Sequence, residues 1–324
     1  MADQAKLTSR DIQGMIAYEL EQSKSVAWPF QCGLEAGSDQ EKETYVILGA
    51  SPAMREWLGN RSRKSLKTAS VDVINKKFEA TILVAVDDMR RDKTNFIQMR
   101  ISELVTRANS HWAKLLTTLR LAGTSTVCVD GKYFYAANHS WGSSGTYSNL
   151  LTSSDYSALA VTDRGNVTPD EMAKAILKVI SHFFTINDDQ GEPANEDANL
   201  FMVHVPVAMM AAATEACASK FLSTGSGVRD NVLTNQDVQQ NLFKVIPQVN
   251  PRLTSGYDFY VDRIDSRAKP FILQSETGIQ QSKKAEGSDF EHDTDMHEYG
   301  IKTNRNVGFA LPYMSIKATV SNAG

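Results

Sequence analysis

The sequence predicts an α+β fold. Three observations carry that reading. Alternating apolar–polar stretches lie towards both ends of the chain, one long amphipathic helix crosses its first half, and further helices cluster in the middle without regular strand–helix winding. At 324 residues, with 42% hydrophobic and 22% charged residues, the chain has the size of one large domain or two ordinary ones.

Residues 4–24 place Leu7, Ile12, Met15, Ile16 and Leu20 near one stripe, a weak helix. Residues 25–43, with Pro29, Gly33 and Gly37 and no period, predict an extended connector. In "TYVILGASPAMREWLG" Pro52 suits a helix start, and Met54, Trp57 and Leu58 give it a one-turn apolar face. Val71 and Val73, then Phe78, Ala80, Ile82, Val84 and Val86 beyond Asn75-Lys76-Lys77, alternate with polar neighbours and predict a hairpin over 66–87. Such an arm reaches roughly 30 Å. A lone two-stranded hairpin is marginal in water, so it is expected to lie on something else. From Thr94 to Ala122 the stripe Ile97, Ile101, Leu104, Val105, Ala108, Trp112, Leu115, Leu116 and Leu119 predicts one unbroken helix, about 43 Å long, stopped at Gly123.

Residues 126–138 (TVCVDGKYFYAAN) read as strand, Asp-Gly turn and strand, and 140–157 as a loop. Thr168-Pro169-Asp170-Glu171 sets a capping box for a helix running to about Phe184. Acidic loop 187–198 leads to a strand at 199–205 and a helix at 206–222. The Gly/Ser-rich stretch 223–229 predicts a flexible loop. Short strands are expected near 242–248, 257–262, 270–276 and 299–318.

Composition excludes several classes of function. The net charge is −4 and the first forty or so residues are net acidic, so a basic nucleic-acid-binding arm is excluded. Cys32, Cys128 and Cys217 are scattered, without a CxxC pair, and support neither a disulfide framework nor a zinc ribbon; a reducing compartment is expected. The N-terminus lacks a signal-peptide pattern, and the most apolar run, "LFMVHVPVAMMAAATEACA", is broken by His204, Pro206 and Glu215, so no membrane span is expected.

Catalytic motifs fail one by one. His292 and His297 in "DFEHDTDMHE" are five apart and diverge on a helix, which favours a solvated turn or subunit-contact loop over a metal site. His139 lies near Ser140, Ser143 and Ser144 without a GxSxG elbow, and reads as a packed histidine. "STGSG" at 223–227 lacks the GK[ST] of a phosphate loop. The expectation is a chain without catalytic, metal or cofactor site: a building block.

The arm, the long helix and the closing strands resemble the major head subunit of Mu-like bacteriophages and prophages. The resemblance rests on Met54-Arg55-Glu56-Trp57-Leu58-Gly59 (MREW-x-G), Ser65-Leu66-Lys67 with Asn75-Lys76-Lys77-Phe78-Glu79-Ala80-Thr81, and Asp87-Asp88 before the long helix. It continues through Asp130-Gly131, Phe134 and His139 (DG-x-x-F…H), Ser148-Asn149-Leu150, Lys269-Pro270, Glu298-Tyr299-Gly300 and Arg305-Asn306-Val307-Gly308-Phe309. Together these cover about residues 44–315. At Ala136-Ala137-Asn138 the chain departs from the family, which tends to an acidic residue before the His and Pro after it.

The resemblance implies an HK97-like capsid fold. It assigns 1–43 to an N-terminal arm, 44–93 to an E-loop region whose hairpin is 66–87, 94–140 and 262–324 to a P-domain with spine helix 94–122, and 141–261 to an A-domain. It implies a structural protein, not an enzyme, that self-assembles into hexamers and pentamers of an icosahedral phage head. Scaffold protein, portal and maturation protease would act during assembly, decoration proteins would bind the shell, and the shell would enclose double-stranded DNA without sequence specificity. The protein would reside in the virion after assembly in the host cytoplasm, with no cofactor and no membrane partner. The arm would be held by another copy of the chain, with Phe78, Ile82 and Val84 on a neighbour's spine region and Arg55, Trp57, Arg61, Arg63, Lys64 and Lys67 as further contacts, the cations facing carboxylates. A Lys67 cross-link to Asn304 or Asn306, as in some relatives of the fold, is not demanded by the spacing. As the chain starts at Met1, no N-terminal scaffold segment is expected to be removed. The rivals are an encapsulin-like nanocompartment shell and a cytoplasmic hydrolase using His139 or 289–298.

Overall fold

The computed structural model describes residues 9–22, 26–51, 68–91, 96–224, 227–235, 238 and 242–323. The first half supplies helices α1 (Ser9–Gln22) and α2 (Trp28–Cys32), strands β1 (Gly33–Gly37), β2 (Lys42–Leu48), β3 (Thr68–Ile74) and β4 (Lys76–Ala85), and helices α3 (Val86–Arg91), α4 (Phe96–Asn109) and α5 (His111–Leu121). In the middle come β5 (Leu150–Leu151), β6 (Ala160–Val161), α6 (Pro169–Phe183), β7 (Leu200–Val205), α7 (Met210–Ala218), β8 (Phe221–Thr224) and β9 (Gly227–Asp230). The chain closes with β10 (Lys244–Val249), β11 (Asp258–Arg263), β12 (Phe271–Lys284), α8 (Asp289–Thr294), β13 (Met296–Phe309), β14 (Ser315–Thr319) and β15 (Ser321–Asn322).

Two sheets organise these elements. The first has the order β1-β12-β13-β4 and is built on the 14-residue strands β12 and β13. Helix α4 crosses one of its faces, so Ile101, Leu104 and Val105 bury against Tyr299 and Ile301, with Ile12 and Ile16 of α1 closing the same cluster. The second has the order β10-β7-β11-β14-β5. Its strand β7 (LFMVHV) is buried almost throughout because both faces are covered. Phe201, Val203 and Val205 pack with Met172, Ile176, Val179 and Phe183 of α6. Met202 faces a junction cluster that includes Trp28, Leu116, Phe134, Tyr260, Phe271 and Phe309 and joins the two layers.

The expected capping box is present: Thr168 Oγ1 accepts from the Glu171 N–H, and the Glu171 carboxylate accepts from the Thr168 N–H. Other expectations need correction. The hairpin over 66–87 does not form, although Asn75 does separate two strands. β3 pairs antiparallel with β2, while β4 leaves for the first sheet and pairs with β13 over ten residues. Alternation gave each strand its buried face correctly but says nothing about its partner.

The helix of 94–122 is interrupted at Ser110. There the Ser110 hydroxyl donates back to the Arg107 carbonyl (3.1 Å), and Arg305 of β13 takes the Ala108 carbonyl (3.0 Å), which would otherwise continue the helical ladder. The connector 25–43 contains α2 and β1, whose five residues pair parallel to β12. The described residues of 223–229 belong to the paired strands β8 and β9, and 299–318 divides between the sheets, with β13 in the first and β14 in the second.

Candidate assembly surface

The β2–β3 ribbon is a two-stranded sheet of its own, in register from Lys42↔Ile74 to Leu48↔Thr68. One face rests on the body. Tyr45 and Ile47 pack against Ile272, Ala310, Leu311 and Met314, and Val73 is buried where Gly308 leaves room for it. Three polar ties fix this face. The Tyr45 hydroxyl donates to Gln274 Oε1 (2.8 Å), Gln274 Nε2 donates to the Val73 carbonyl (3.2 Å), and Asn306 Nδ2 donates to the Ile74 carbonyl (2.7 Å). The other face offers apolar surface to solvent: Val46 is 62%, Leu48 56% and Ile74 52% exposed. Beyond β2, the Ala50 N–H donates to Asp189 Oδ1 at 2.7 Å, which anchors the rising strand to the 187–191 loop.

The residues expected to make contacts fall into two groups. Arg55, Trp57, Arg61, Arg63, Lys64 and Lys67 lie outside the described residues. Phe78, Ile82 and Val84 lie on β4, and their half-buried side chains are directed into this chain. Ile82 and Val84 pack on the α1–α4 cluster, and Phe78 meets the His111 ring edge-on at 4.4 Å between centroids. The spine they cover is their own, because β4 belongs to the first sheet. Asn304 and Asn306 use their amides within the chain, Asn304 towards Glu276 (3.2 Å) and Asn306 towards the ribbon.

A cleft of about 410 Å³ lies where β4, β13 and the α4–α5 break meet. Phe78, Ile279 and Ile301 contribute apolar lining, while Arg107, Lys114, Arg252, Lys302 and Arg305 make it cationic against Glu79, the one carboxylate among the described lining residues. Burial and the positive charges of Arg305, Lys114 and Arg252 push His111 down to about 4, and burial lowers Arg305 to about 10. Arg305 is held by His111 Nδ1 (3.0 Å) and lies over the Trp112 ring. The cleft is suited to carboxylates attached to an apolar segment.

The DG-x-x-F…H and SNL residues come together as one buried clamp. Gly131 takes φ +76° in the turn closed by the Val127↔Tyr133 bridge, which brings Asp130 over His139. His139 Nδ1 meets Asp130 Oδ2 at 2.6 Å, and Nε2 meets Asn149 Oδ1 at 3.1 Å and the Phe134 carbonyl at 3.2 Å. Asn149 Nδ2 donates to the carbonyls of Phe134 (2.7 Å) and Pro312 (2.9 Å). Asp130 sits at about 2: burial would raise it, and the His139 hydrogen bond and charge more than offset that. Both ring nitrogens of His139 are engaged, and Ser144 Oγ turns instead to the Trp141 N–H and the Gly145 carbonyl. The histidine therefore holds loops together and has no nitrogen directed at a serine. In 289–298, His292 is exposed on α8 whereas His297 is buried against Glu291 (2.9 Å), so the two do not converge.

Sequence reasoning missed the ribbon itself, the cleft and the anchoring Asp189. The ribbon had a signal in the alternation Glu43, Tyr45, Ile47 of "KETYVIL". Asp189, in an acidic loop, had none.

Comparison with known proteins gives three findings. Residues 20–169 match the family described as Mu-like prophage major head subunit gpT. A Mu-like prophage FluMu major head subunit of Haemophilus influenzae is 28% identical over 102 residues, 32% of this chain and 33% of that protein. The major capsid protein of Escherichia phage Mu is 26% identical over 157 residues, 46% of this chain and 50% of that protein, so the chain spans between a third and a half of these relatives. Among solved structures, the procapsid of bacteriophage JBD30 superposes with a TM-score of 0.54 at 17% identity, covering 98% of this chain and 77% of that one. The capsid of JBD30 decorated with minor capsid protein trimers gives 0.51 at 13% identity over 91% and 64% of the two chains. A virus-like particle from Pyrococcus furiosus gives 0.50 at 8% identity over 95% and 98%. The fold is that of HK97-type phage capsid proteins, and the resemblance drawn from the motifs is borne out for those within residues 20–169.

Proposed function

We propose that this chain, related to the Mu-like major head subunits through residues 20–169, is the structural major capsid protein of a phage head. Copies of it would form the hexamers and pentamers of an icosahedral shell around double-stranded DNA. The observation that carries the reading is the β2–β3 ribbon, attached by one face and presenting Val46, Leu48 and Ile74 outward. As each of these side chains is a little over half exposed, covering it with a neighbour contributes about 1–1.5 kcal/mol, whereas exposed ion pairs contribute under about 1 kcal/mol. Apolar burial by the ribbon leads, and the cations of 55–67 steer it. Many such contacts per copy multiply into a stable shell.

The N-terminal arm, E-loop, P-domain and A-domain divisions follow the same reading, with the E-loop moved from 66–87 to the β2–β3 ribbon. Scaffold protein, portal and maturation protease are its assembly partners, a decoration protein its outer ligand, and the virion its location. Electron microscopy of the expressed chain tests this: rings and closed shells are expected, and a monodisperse monomer at high concentration contradicts it. A second reading, an encapsulin-like shell that encloses protein, draws on the full-length likeness to the virus-like particle. Nuclease-protected DNA inside particles from an infected or induced host separates the two.

A further inference from the structure

Two groups of three ligand-type side chains converge among the described residues: Cys32, His204 and Asp262, and Cys128, Asp130 and His139. The first already holds a cation, since the buried Arg120 guanidinium is paired with Asp262. A metal ion there would face a fixed positive charge. In the second, no lysine or arginine side chain among the described residues enters the hydrogen bonds around the three groups.

We infer that Cys128, Asp130 and His139 form a binding site for a single divalent ion of the zinc type. Their ligand atoms all lie within 4.8 Å of one another, with Cys128 Sγ 3.1 Å from Asp130 Oδ1 and Asp130 Oδ2 2.6 Å from His139 Nδ1. Zinc binds sulfur at about 2.3 Å and nitrogen or oxygen at about 2.0–2.2 Å, so opening these hydrogen bonds by about 1 Å or less makes room for it. The histidine is already aimed. Its Nε2 faces two acceptors, the Phe134 carbonyl and Asn149 Oδ1, which keep the proton there and leave Nδ1 turned to the group. Metal-bound histidines are oriented by such a second hydrogen bond.

Charge and access agree. A thiolate and a carboxylate neutralise a divalent ion, leaving no net charge in a buried place, and mixed sulfur, nitrogen and oxygen donors suit zinc over magnesium or calcium. Binding releases to solvent the Cys128 thiol proton and the proton of the hydrogen bond between Asp130 Oδ2 and His139 Nδ1. Cys128 is 9% exposed, and the turn beside it is open, with Tyr133 50% exposed, so an ion has a way in. The ion would fasten the 128–133 turn to the clamp that holds Asn149 and the Pro312 and Ser315 carbonyls. This inference stands apart from the shell reading.

The test uses the full-length chain, stripped with chelator and then given Zn²⁺ or Co²⁺ alone. One Zn²⁺ per chain is expected to survive gel filtration, and Co²⁺ is expected to give a thiolate charge-transfer absorption. Cys128→Ser abolishes that absorption and lowers zinc affinity at least tenfold, Asp130→Asn lowers it at least tenfold, and Cys217→Ser changes neither. Substoichiometric zinc, absence of the thiolate absorption, or undiminished binding by folded Cys128→Ser overturns the proposal.

Discussion

Arg120 of α5 is ion-paired with Asp262 of β11 at the junction of the two layers, and neither side chain exposes any surface. The guanidinium lies 5.3–5.6 Å from the ring centres of Trp28, Tyr260 and Phe271, and His204 Nε2 stands 3.2 Å from the same carboxylate. A buried charge of this kind fixes how the layers meet, because its removal strands its partner. Arg120→Met should therefore cost roughly 3–5 kcal/mol, and adding Asp262→Leu should recover a large part of it. Urea unfolding of isolated subunits measures both; equal loss in single and double variants contradicts the pairing argument.

Acid should loosen the same junction. Burial and the nearby Arg120 charge push His204 down to about 4, and burial with Arg305 does the same to His111. An unfolded histidine titrates near ~6.5. Between about pH 6.5 and 4 the unfolded chain binds protons that the folded one refuses, so stability is present above this window and lost as pH falls through it. For His204 alone the loss reaches on the order of 3 kcal/mol. Asp262, held at about 2 because Arg120 and His204 outweigh its burial, adds a loss only at still lower pH. Unfolding midpoints at pH 7, 5.5 and 4.5 check the trend, and an unchanged midpoint refutes it.

Gly308 sets how closely the ribbon lies on the body. A Cβ at that position would meet the Val73 side chain. Gly308→Val should lift the ribbon at a cost of about 1–3 kcal/mol, and Val73→Ala should relieve part of it. Thermal melts of the four chains in that double-mutant cycle give the coupling, which is near zero if the contact is unimportant.

Strand β4 separates folding from assembly. Deleting 68–84 removes β4 from its sheet along with β3, so the expected product is an unfolded chain. Phe78→Asp places a carboxylate against His111 in the cationic cleft, so it should leave the fold intact within about 1–2 kcal/mol. Circular dichroism and solubility distinguish these outcomes; a folded deletion variant contradicts the placement of β4.

Much of this architecture was legible in the sequence because period and capping report local geometry. The Thr168–Glu171 box, the α4–α5 stripe and the buried run of β7 were read from neighbours a few residues apart. What escaped depended on distant residues. β4 pairs with β13 some two hundred positions away, Arg305 interrupts the helix at Ala108, and Asp189 holds Ala50. The site was half legible: Asp130, Gly131, Phe134, His139 and Asn149 stood out as motif residues, but their shared clamp required the fold. Phe78, Ile82 and Val84 were identified as a buried face and assigned to a neighbour's spine, whereas the chain's own α4 and α5 lie beneath them.

Sedimentation velocity on the unaltered chain beside the triple variant Val46→Gln, Leu48→Gln, Ile74→Gln tests the central claim most directly. These three side chains lie on the exposed face of the ribbon, so the variant should keep the fold. Capsomers and shells are expected from the unaltered chain and a folded monomer from the variant. Identical monomers from both, or identical shells from both, would contradict it.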